Sequence, residues 1–423
     1  MTQDEKKQAL WKLVDQRRGE LLEICSDLIR IPSVDEAGIE EILQYACTFL
    51  DKLNISYEVL RPAGDVPCIA AELGADTGKT GILNGHNDVV SPGDVSRWSY
   101  DPFCGAITDT QVLGRGASDM KCGTGVLLFL LKLIVEENLR PRGKVRLHLV
   151  HDEERGGEQG SKWLAEHGYA DGADFCIVTE PTSSDYIEVG QKSRARLRLR
   201  THGKPVNGSI INYVGESAIH NMIRVLSRVK ALSQLEGEIR PQDREVIANS
   251  KQVICRAMGL TDVGDAVDHI NVNVLRVDGG SGSTMTSETC EAVVALGVPC
   301  FLSREQVHRR LMELIEESGA ACDVEYLAWQ DGASTDSDSP LVRSVRENAE
   351  QITGRTIVPA YQWATSDAKY YRYLGIPTIQ FGPANSRGIH SYDEDVEIVD
   401  IIKCAKTHLA VLEDLIGFDA FSS

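Results

Sequence analysis

Six acidic or histidine side chains in this chain lie where a predicted strand ends or a predicted helix begins. They are His86, Asp119, Glu153, Glu154, Glu180 and His390. His86 illustrates the pattern: it follows the short apolar run Ile82-Leu83 and the strand-breaking Gly85. Loops at the carboxyl ends of parallel strands converge at one edge of a sheet. We therefore expect these side chains to lie close together.

Carboxylates gathered in a concave site repel one another, and a divalent cation is the simplest way to neutralise them. Each residue taken alone has a plainer interpretation. Asp119 suits the cap of the helix that follows it, and Glu153 and Glu154 suit a solvated turn. The joint pattern favours a metal site, because independent surface residues would not all fall on one edge of one sheet. Histidine and carboxylate ligands are compatible with zinc, manganese or cobalt, and the sequence does not choose among them.

The elements expected to position these residues alternate between strand and helix. Short apolar runs at 68–73, 80–84, 145–150 and 175–179 predict strands, and the uniformly apolar run at 125–135 predicts a buried helix. The spacing at 5–30 predicts a continuous helix. This order is typical of an α/β domain with a mixed, largely parallel sheet and helices on both faces.

A different pattern begins near residue 190. The alternation of arginine and apolar residues at 194–200 predicts a strand with one solvated face. A β-α-β-β-α-β series follows, with a polar stretch between its first helix and about Val267. This series predicts an inserted α+β domain of split-βαβ (ferredoxin-like) type. The expected boundaries are 1–191 for the first part of the catalytic domain, 192–333 for the insertion and 334–423 for the second part.

Composition limits the partners of the chain. Its net charge of −19 argues against nucleic acid and against anionic membrane surfaces. The first ten residues lack the apolar core of a secretory signal, so a cytoplasmic location is the default expectation. The 11 cysteines show no CxxC pairs, which predicts buried thiols. The segment 74–80 superficially suggests a phosphate-binding loop, but it has too few residues between its glycines and a strand follows it.

Five segments together resemble the co-catalytic metallopeptidase family of acetylornithine deacetylase, succinyl-diaminopimelate desuccinylase, aminoacylase and glutamate carboxypeptidase. They occur in the family's order, and the inserted domain is at the family's position. The segments are Gly85-His86-Asn87-Asp88-Val89-Val90, Gly114-Arg115-Gly116-Ala117-Ser118-Asp119-Met120-Lys121, Asp152-Glu153-Glu154-Arg155-Gly156-Gly157, Thr179-Glu180-Pro181 and Gly388-Ile389-His390.

This resemblance implies a role for each matching position. The five implied ligands of two divalent ions are Asp119 as the bridge, His86 and Glu180 at one ion, and Glu154 and His390 at the other. It further implies that Glu153 is the general base that deprotonates the attacking water, and that Asp88 orients His86. One or two ions of zinc, manganese or cobalt are the implied cofactors. The implied activity is metal-dependent hydrolysis of a C–N bond in a small molecule by metal-bound hydroxide, and the implied assembly is a homo-oligomer formed through the inserted lid domain.

The inserted domain departs from the family's pattern at three places. Asn207 stands where the family has a histidine that reaches the scissile carbonyl, and Gly297 stands where an arginine usually binds a substrate carboxylate. The family's Asn-x-x-Pro segment is replaced by residues 283–287. We therefore expect an atypical substrate, with Asn207 and Arg387 as candidate substrate-binding residues.

Two alternatives to an N-acyl amino acid hydrolase remain open at this point. One is an aminohydrolase that acts on an aromatic amino acid-like substrate such as 5-nitroanthranilate, as some members of the family do. The other is a non-catalytic binding protein on the same fold. The second would be favoured if Glu153 or the ligands had been replaced, and all of them are present.

Overall fold

The computed structural model describes residues 2–62, 66–280 and 282–419. These residues form two compact units. The first comprises residues up to Val189 together with Ser334–Ala360 and the chain from Ser366 onward, and the second comprises Gly190–Ala333 and Tyr361–Thr365.

Helices occur in both units. The α-helices are α1 (Gln3–Gln16), α2 (Arg18–Arg30), α3 (Glu36–Lys52), α4 (Cys122–Glu136), α5 (Ser161–Glu166), α6 (Ile211–Val214), α7 (Ala218–Val229), α8 (Asp243–Met258), α9 (Arg304–Glu317), α10 (Pro340–Thr353), α11 (Ala368–Tyr373) and α12 (Ile398–Leu415).

Strands occur in both units. They are β1 (Ser56–Leu60), β2 (Cys68–Gly74), β3 (Thr80–His86), β4 (Ala106–Ile107), β5 (Gln111–Leu113), β6 (Lys144–Val150), β7 (Phe175–Pro181), β8 (Tyr186–Gln191), β9 (Ser193–His202), β10 (Asn271–Gly279), β11 (Thr289–Val298), β12 (Cys322–Gln330), β13 (Ala333–Ser334), β14 (Val358–Gln362), β15 (Thr378–Gly382) and β16 (Asp395–Glu397).

The main sheet is mixed, as the sequence predicts. Its order is β1-β2-β6-β3-β7-β15-β8-β13, and β14 also pairs with β8. The four adjacent strands β6, β3, β7 and β15 run parallel. The flanking pairs β1–β2, β2–β6 and β8–β15 are antiparallel. The parallel strands therefore present their carboxyl ends side by side.

Helices cover both faces of this sheet. On one face Ile82 of β3 packs in a buried cluster with Ala368 and Tyr371 of α11. On the other face Gly85 lies so close to α4 that an added Cβ would be 2.8 Å from Thr124 Oγ1. A side chain at position 85 would push α4 away from β3, so glycine there permits the close packing of helix on strand.

The second unit is a four-stranded antiparallel sheet in the order β10-β11-β9-β12. Alternate residues of β9, including Leu197 and Leu199, are buried in a core with residues of α7 and α9, whereas the arginines between them are on the other face. This arrangement confirms the predicted α+β insertion of split-βαβ type.

One prediction about local structure is wrong, and one helix was not predicted. The helix expected over 5–30 is interrupted at Arg17, whose φ and ψ of −108° and 15° separate α1 from α2. The polar stretch before Val267 contains the 16-residue helix α8, which buries Val246, Ile247, Val253 and Ile254. Polar residues on the exposed side of α8 obscured its narrow apolar stripe. In addition, Tyr361 binds α8, since its hydroxyl donates to Asp243 Oδ1 at 2.9 Å, and Tyr361–Thr365 belongs to the second unit.

None of the described helices combines the length and apolar character needed to cross a bilayer. None of the eleven cysteines forms a disulfide bond.

Candidate metal centre

The central parallel strands bring most of the predicted site residues to one edge of the sheet. His86 is the last residue of β3, and Glu180 lies near the end of β7. Glu153 and Glu154 form the turn that follows β6, and His390 lies in the loop that follows β15. Because β6, β3, β7 and β15 are neighbours in that order, their ends form a continuous row.

Asp119 reaches this row from a turn rather than from a strand. The turn, Ala117–Lys121, precedes α4 and has non-helical backbone angles at Asp119. One carboxylate oxygen, Oδ1, is 3.1 Å from His86 Nε2, and the other, Oδ2, is 3.2 Å from His390 Nε2. The two oxygens of one carboxylate thus face two different histidines, as a bridge between two cations requires.

Two groups of donor atoms result, and within each group the donors lie within 4.8 Å of one another. The first is His86, Asp119 and Glu180, and the second is Asp119, Glu154 and His390. In the second group His390 Nε2 is 2.9 Å from Glu154 Oε1, and in the first group His86 Nε2 is 3.9 Å from Glu180 Oε1.

The donor set passes a direct test of fit to divalent cations. Glu180 Oε1 is buried and has no hydrogen-bond partner within the described part of the chain. A buried carboxylate oxygen without a partner is costly, and a cation removes that cost. Imidazole nitrogen and carboxylate oxygen are ligands that zinc, manganese and cobalt accept.

The electrostatics of these residues reflect the crowding of acidic groups. Burial raises the pKa of Glu180 well above its ordinary value, and the neighbouring carboxylates of Glu153 and Asp119 raise it further. Hydrogen bonds to Asp119 and Glu154 raise the pKa of His390 to about 10. For His86, burial lowers the pKa, but hydrogen bonds to Asp119 and Asp88 outweigh burial and the net shift is upward. Cation binding at these groups must therefore displace protons.

Glu153 differs from its neighbour Glu154 because it belongs to neither donor group. Its carboxylate makes no hydrogen bond or ion pair with any residue that the structure describes. Burial raises its pKa well above the ordinary value, and the nearby carboxylates of Asp367 and Glu154 add to the effect. A carboxylate beside the donors, unengaged and basic, is suited to accept and return a proton.

Asp88 contacts more of the centre than the sequence indicates. The ring N–H at His86 Nδ1 donates to the backbone oxygen of Asp88 at 3.0 Å, and the Asp88 carboxylate is slightly farther, at 3.5 Å. This bond leaves His86 Nε2 available to a cation. The same carboxylate accepts the backbone N–H groups of Glu153 and Glu154 at 3.3 and 3.1 Å. Asp88 therefore orients both a ligand and the turn that carries the candidate base.

Sequence reasoning missed Glu394, a fully buried carboxylate beside the Asp119 turn. It accepts hydrogen bonds from the backbone N–H groups of Gly116, Ser118 and Asp119. Its place four residues after His390 was the one available signal, and nothing in that spacing indicates which turn it contacts.

The candidate substrate-binding residues lie in different units. Arg387 is exposed in the first unit, on the loop that carries His390. Asn207 lies in the second unit, where its side-chain oxygen accepts the backbone N–H of Ser209 at 3.0 Å. The side-chain oxygen is the acceptor of this bond, and the amide N–H₂ is the group of Asn207 that can act as a donor. Gly297 is a residue of β11, directly opposite Arg194 of β9.

The fold and the paired donor groups define a metal-dependent hydrolase that acts on C–N bonds, of the amidohydrolase and peptidase type. The chain belongs to peptidase family M20/M25/M40, whose model matches residues 82–414. The family resemblance inferred from the sequence is thereby confirmed.

Similar proteins include succinyl-diaminopimelate desuccinylases. The enzyme of Gluconacetobacter diazotrophicus is 28% identical over 94% of this chain and 97% of its own length. The probable enzyme of Staphylococcus aureus is 24% identical over 89% of this chain and 93% of its own.

Solved structures share the fold. The M20 family metallo-carboxypeptidase Sso-CP2 from Sulfolobus solfataricus superposes with a TM-score of 0.76 at 20% identity, covering 94% of this chain and 99% of that chain. Human carnosine dipeptidase 1 superposes with a TM-score of 0.74 at 13% identity, covering 97% and 98%.

Proposed function

We propose that this protein hydrolyses the amide bond of an N-acylated small molecule at a pair of divalent ions bridged by Asp119. The observation that carries the proposal is the placement of the two Asp119 oxygens, each within 3.2 Å of a different histidine Nε2. His86 and Glu180 would hold one ion, and Glu154 and His390 would hold the other. Zinc, manganese and cobalt each suit this set of donors.

The ions, when bound, polarise the amide carbonyl and make water acidic enough to act as a nucleophile at neutral pH. The chain's own residues then manage the proton. Glu153 accepts it from the attacking water and returns it to the departing nitrogen, so that a carboxylic acid and an amine are released. Asp88 holds the Glu153 turn in place through the backbone N–H bonds of Glu153 and Glu154.

The substrate class follows from the relatives and from the inserted domain. The curated relatives above are succinyl-diaminopimelate desuccinylases, which supports an N-acyl substrate. Asn207 lacks the acid–base capacity of histidine, but its free amide N–H₂ can donate to a developing oxyanion. Position 297, on β11, is glycine. The arginine with which the family usually binds a substrate carboxylate is therefore missing from this chain. We therefore propose an acyl compound other than a standard N-acyl amino acid.

Gly297 also supports a second candidate function, which is the hydrolytic removal of an amino group from an aromatic acid. In a substrate of that kind the carboxylate and the reacting nitrogen are both attached to the aromatic ring, so a different anchor could hold the carboxylate. Water attack with Glu153 as the base would serve this reaction too, since it also ends with protonation of a departing nitrogen.

The test of the function is Glu153→Gln, which keeps the size of the side chain and removes its basicity. We expect kcat to fall by about 10²–10⁴-fold, the usual contribution of a general base, while metal content stays at the wild-type level. A matched control is Glu158→Gln, an exposed acid five residues along the same segment. Activity that survives the Glu153 change would refute its assignment as base.

The substrate assignment is tested on the wild-type protein loaded in turn with each metal. N-acetyl, N-succinyl and aromatic N-acyl compounds are compared with dipeptides and with aminoarenes that carry electron-withdrawing groups. Acyl release from the amides supports the proposed reaction, and ammonia release from the aminoarenes replaces it with the aminohydrolase. Rapid cleavage of acetylornithine would contradict the atypical substrate.

We also propose that a second copy of the chain is the macromolecular partner, bound through β10. This strand is at one edge of the second unit's sheet, and Val274, Leu275 and Val277 on it are exposed. An exposed apolar edge favours pairing with another strand, and two copies of one edge can pair antiparallel about a twofold axis. A cytoplasmic location remains a prediction.

A further inference from the structure

The Arg115–Glu394 ion pair is fully enclosed beside the Asp119 turn. Relative exposure is 2% for Arg115 and 0% for Glu394. The Arg115 guanidinium donates to Glu394 Oε2 and, at 3.0 Å, to the backbone oxygen of Ser391. A buried ion pair of this kind contributes little net stability on average. Its position next to the donor atoms is therefore of more interest than its energy.

The other oxygen of Glu394 binds the backbone of the turn itself. Oε1 accepts the N–H groups of Gly116, Ser118 and Asp119 at 3.1, 3.0 and 3.1 Å. Three donors converging on one oxygen fix the path of the chain through Asp119. Because these N–H groups are bonded to Glu394, they do not compete for the Asp119 carboxylate, whose two oxygens face the histidines.

The same residue ties this turn to the loop that carries His390. The Gly114 N–H donates to the Glu394 backbone oxygen at 2.9 Å, and the Ser118 hydroxyl donates to the backbone oxygen of Asp395 at 2.8 Å. Segments 114–119 and 391–395 are thus joined by hydrogen bonds of both backbone and side-chain atoms. The distance between Asp119 Oδ2 and His390 Nε2, 3.2 Å, depends on this junction.

The two donor groups do not depend equally on the junction between segments 114–119 and 391–395. In the first group His86 and Glu180 are on β3 and β7, which pair directly in the main sheet, and both side chains are buried. In the second group His390 lies on a loop, and 44% of its side chain is exposed. Asp119 is common to both groups, but only the second group also requires the loop to be held against the turn.

We propose that Glu394, paired with Arg115, is a positioning residue that sets the affinity of the second ion, held by Asp119, Glu154 and His390. This inference rests on the two-ion centre proposed above. Residues that orient metal ligands without touching the metal commonly change affinity by about 10–100-fold when they are replaced. Loss of the Glu394 charge lowers the affinity for the second ion by a factor in this range and lowers the affinity for the first ion much less.

The experiment titrates Zn²⁺ into chelator-stripped protein by calorimetry, and metal content after dialysis gives the stoichiometry. Glu394→Gln keeps the shape of the side chain, but its amide N–H₂ faces the Arg115 guanidinium and the ion pair is lost. We expect two ions per chain in the wild type. In the variant we expect one ion of near wild-type affinity and a second about 10–100-fold weaker. The matched control is Glu397→Gln, an exposed acid three residues along the chain, which leaves both affinities unchanged.

Circular dichroism of the stripped proteins checks that the fold is retained. If Glu394→Gln does not fold, Arg115→Lys takes its place, since it keeps the charge and loses the bond to Ser391; the same selective weakening is expected. An equal loss of affinity for both ions, or no loss of affinity for either ion, overturns the inference. A wild-type protein that binds no Zn²⁺, Mn²⁺ or Co²⁺ instead overturns the proposed metal centre.

Discussion

Asp88 connects the ligand His86 with the turn of the candidate base. Its backbone oxygen accepts the His86 ring N–H, and its carboxylate accepts the N–H groups of Glu153 and Glu154. Both carboxylate oxygens are engaged, one with each N–H. The family resemblance implied that Asp88 orients His86, but hydrogen bonds between segments 65 residues apart become visible only in the fold.

The change Asp88→Asn tests this double role. The amide oxygen can accept one N–H, but the amide nitrogen meets the other N–H as a second donor, so the turn must shift. We expect kcat to fall together with a loss of metal affinity of about 10–100-fold. Metal titration and steady-state kinetics measure the two effects. Asp109→Asn, at an exposed position, is the control, and unchanged kcat at saturating metal would contradict a role in holding the base.

Among the elements, the parallel strands β6, β3, β7 and β15 were predictable because each is a short segment that contains several apolar residues and is followed by a polar turn. The places of the candidate ligands followed from the same pattern. The edge strand β1 and the strand β8 were not predicted. Glu188 of β8 interrupts an otherwise apolar run. This buried carboxylate is tolerated because it has a partner far along the chain, since Gln380 Nε2 donates to Glu188 Oε2 at 2.9 Å.

Burial of Glu188 on β8 makes stability depend on pH. Burial raises the pKa of Glu188 to about 8, although the charge of Arg372 opposes the shift. A carboxyl group whose folded pKa is raised stabilises the protein below its unfolded pKa, and this contribution is lost as pH rises through 8. We therefore expect Glu188→Gln to gain stability relative to wild type at pH 8.5, by at least about 1 kcal/mol, the equivalent of nearly one pKa unit.

Urea unfolding of both proteins at pH 5.5 and pH 8.5 measures this difference. The gain should be larger at the higher pH, because the wild-type protein loses the contribution of Glu188 progressively between the unfolded pKa of its carboxyl group and about pH 8. Glu347→Gln, at an exposed position of α10, should not change the pH dependence. A gain of the same size at both pH values would show that ionisation of Glu188 is not its cause.

For the whole molecule, the sequence predicted an inserted domain because the hydrophobic periodicity changes near residue 190 and changes back near 334. It could not predict that Tyr361–Thr365 belongs to the second unit. This assignment depends on contacts such as the bond between the Tyr361 N–H and Ser250 Oγ, 111 residues apart. A segment of five residues has no periodicity from which such a contact could be inferred.

The proposed dimer is the property of the whole molecule that is simplest to test, because the second unit's sheet has two comparable edges. Leu275 on β10 and Leu327 on β12 are both exposed leucines at a shift of strand register. A lysine on a pairing edge opposes strand addition. We expect light scattering to give twice the 46.4 kDa of one chain for the wild type and for Leu327→Lys, and 46.4 kDa for Leu275→Lys. A monomeric wild type contradicts the dimer, and disruption by Leu327→Lys alone moves the interface to β12.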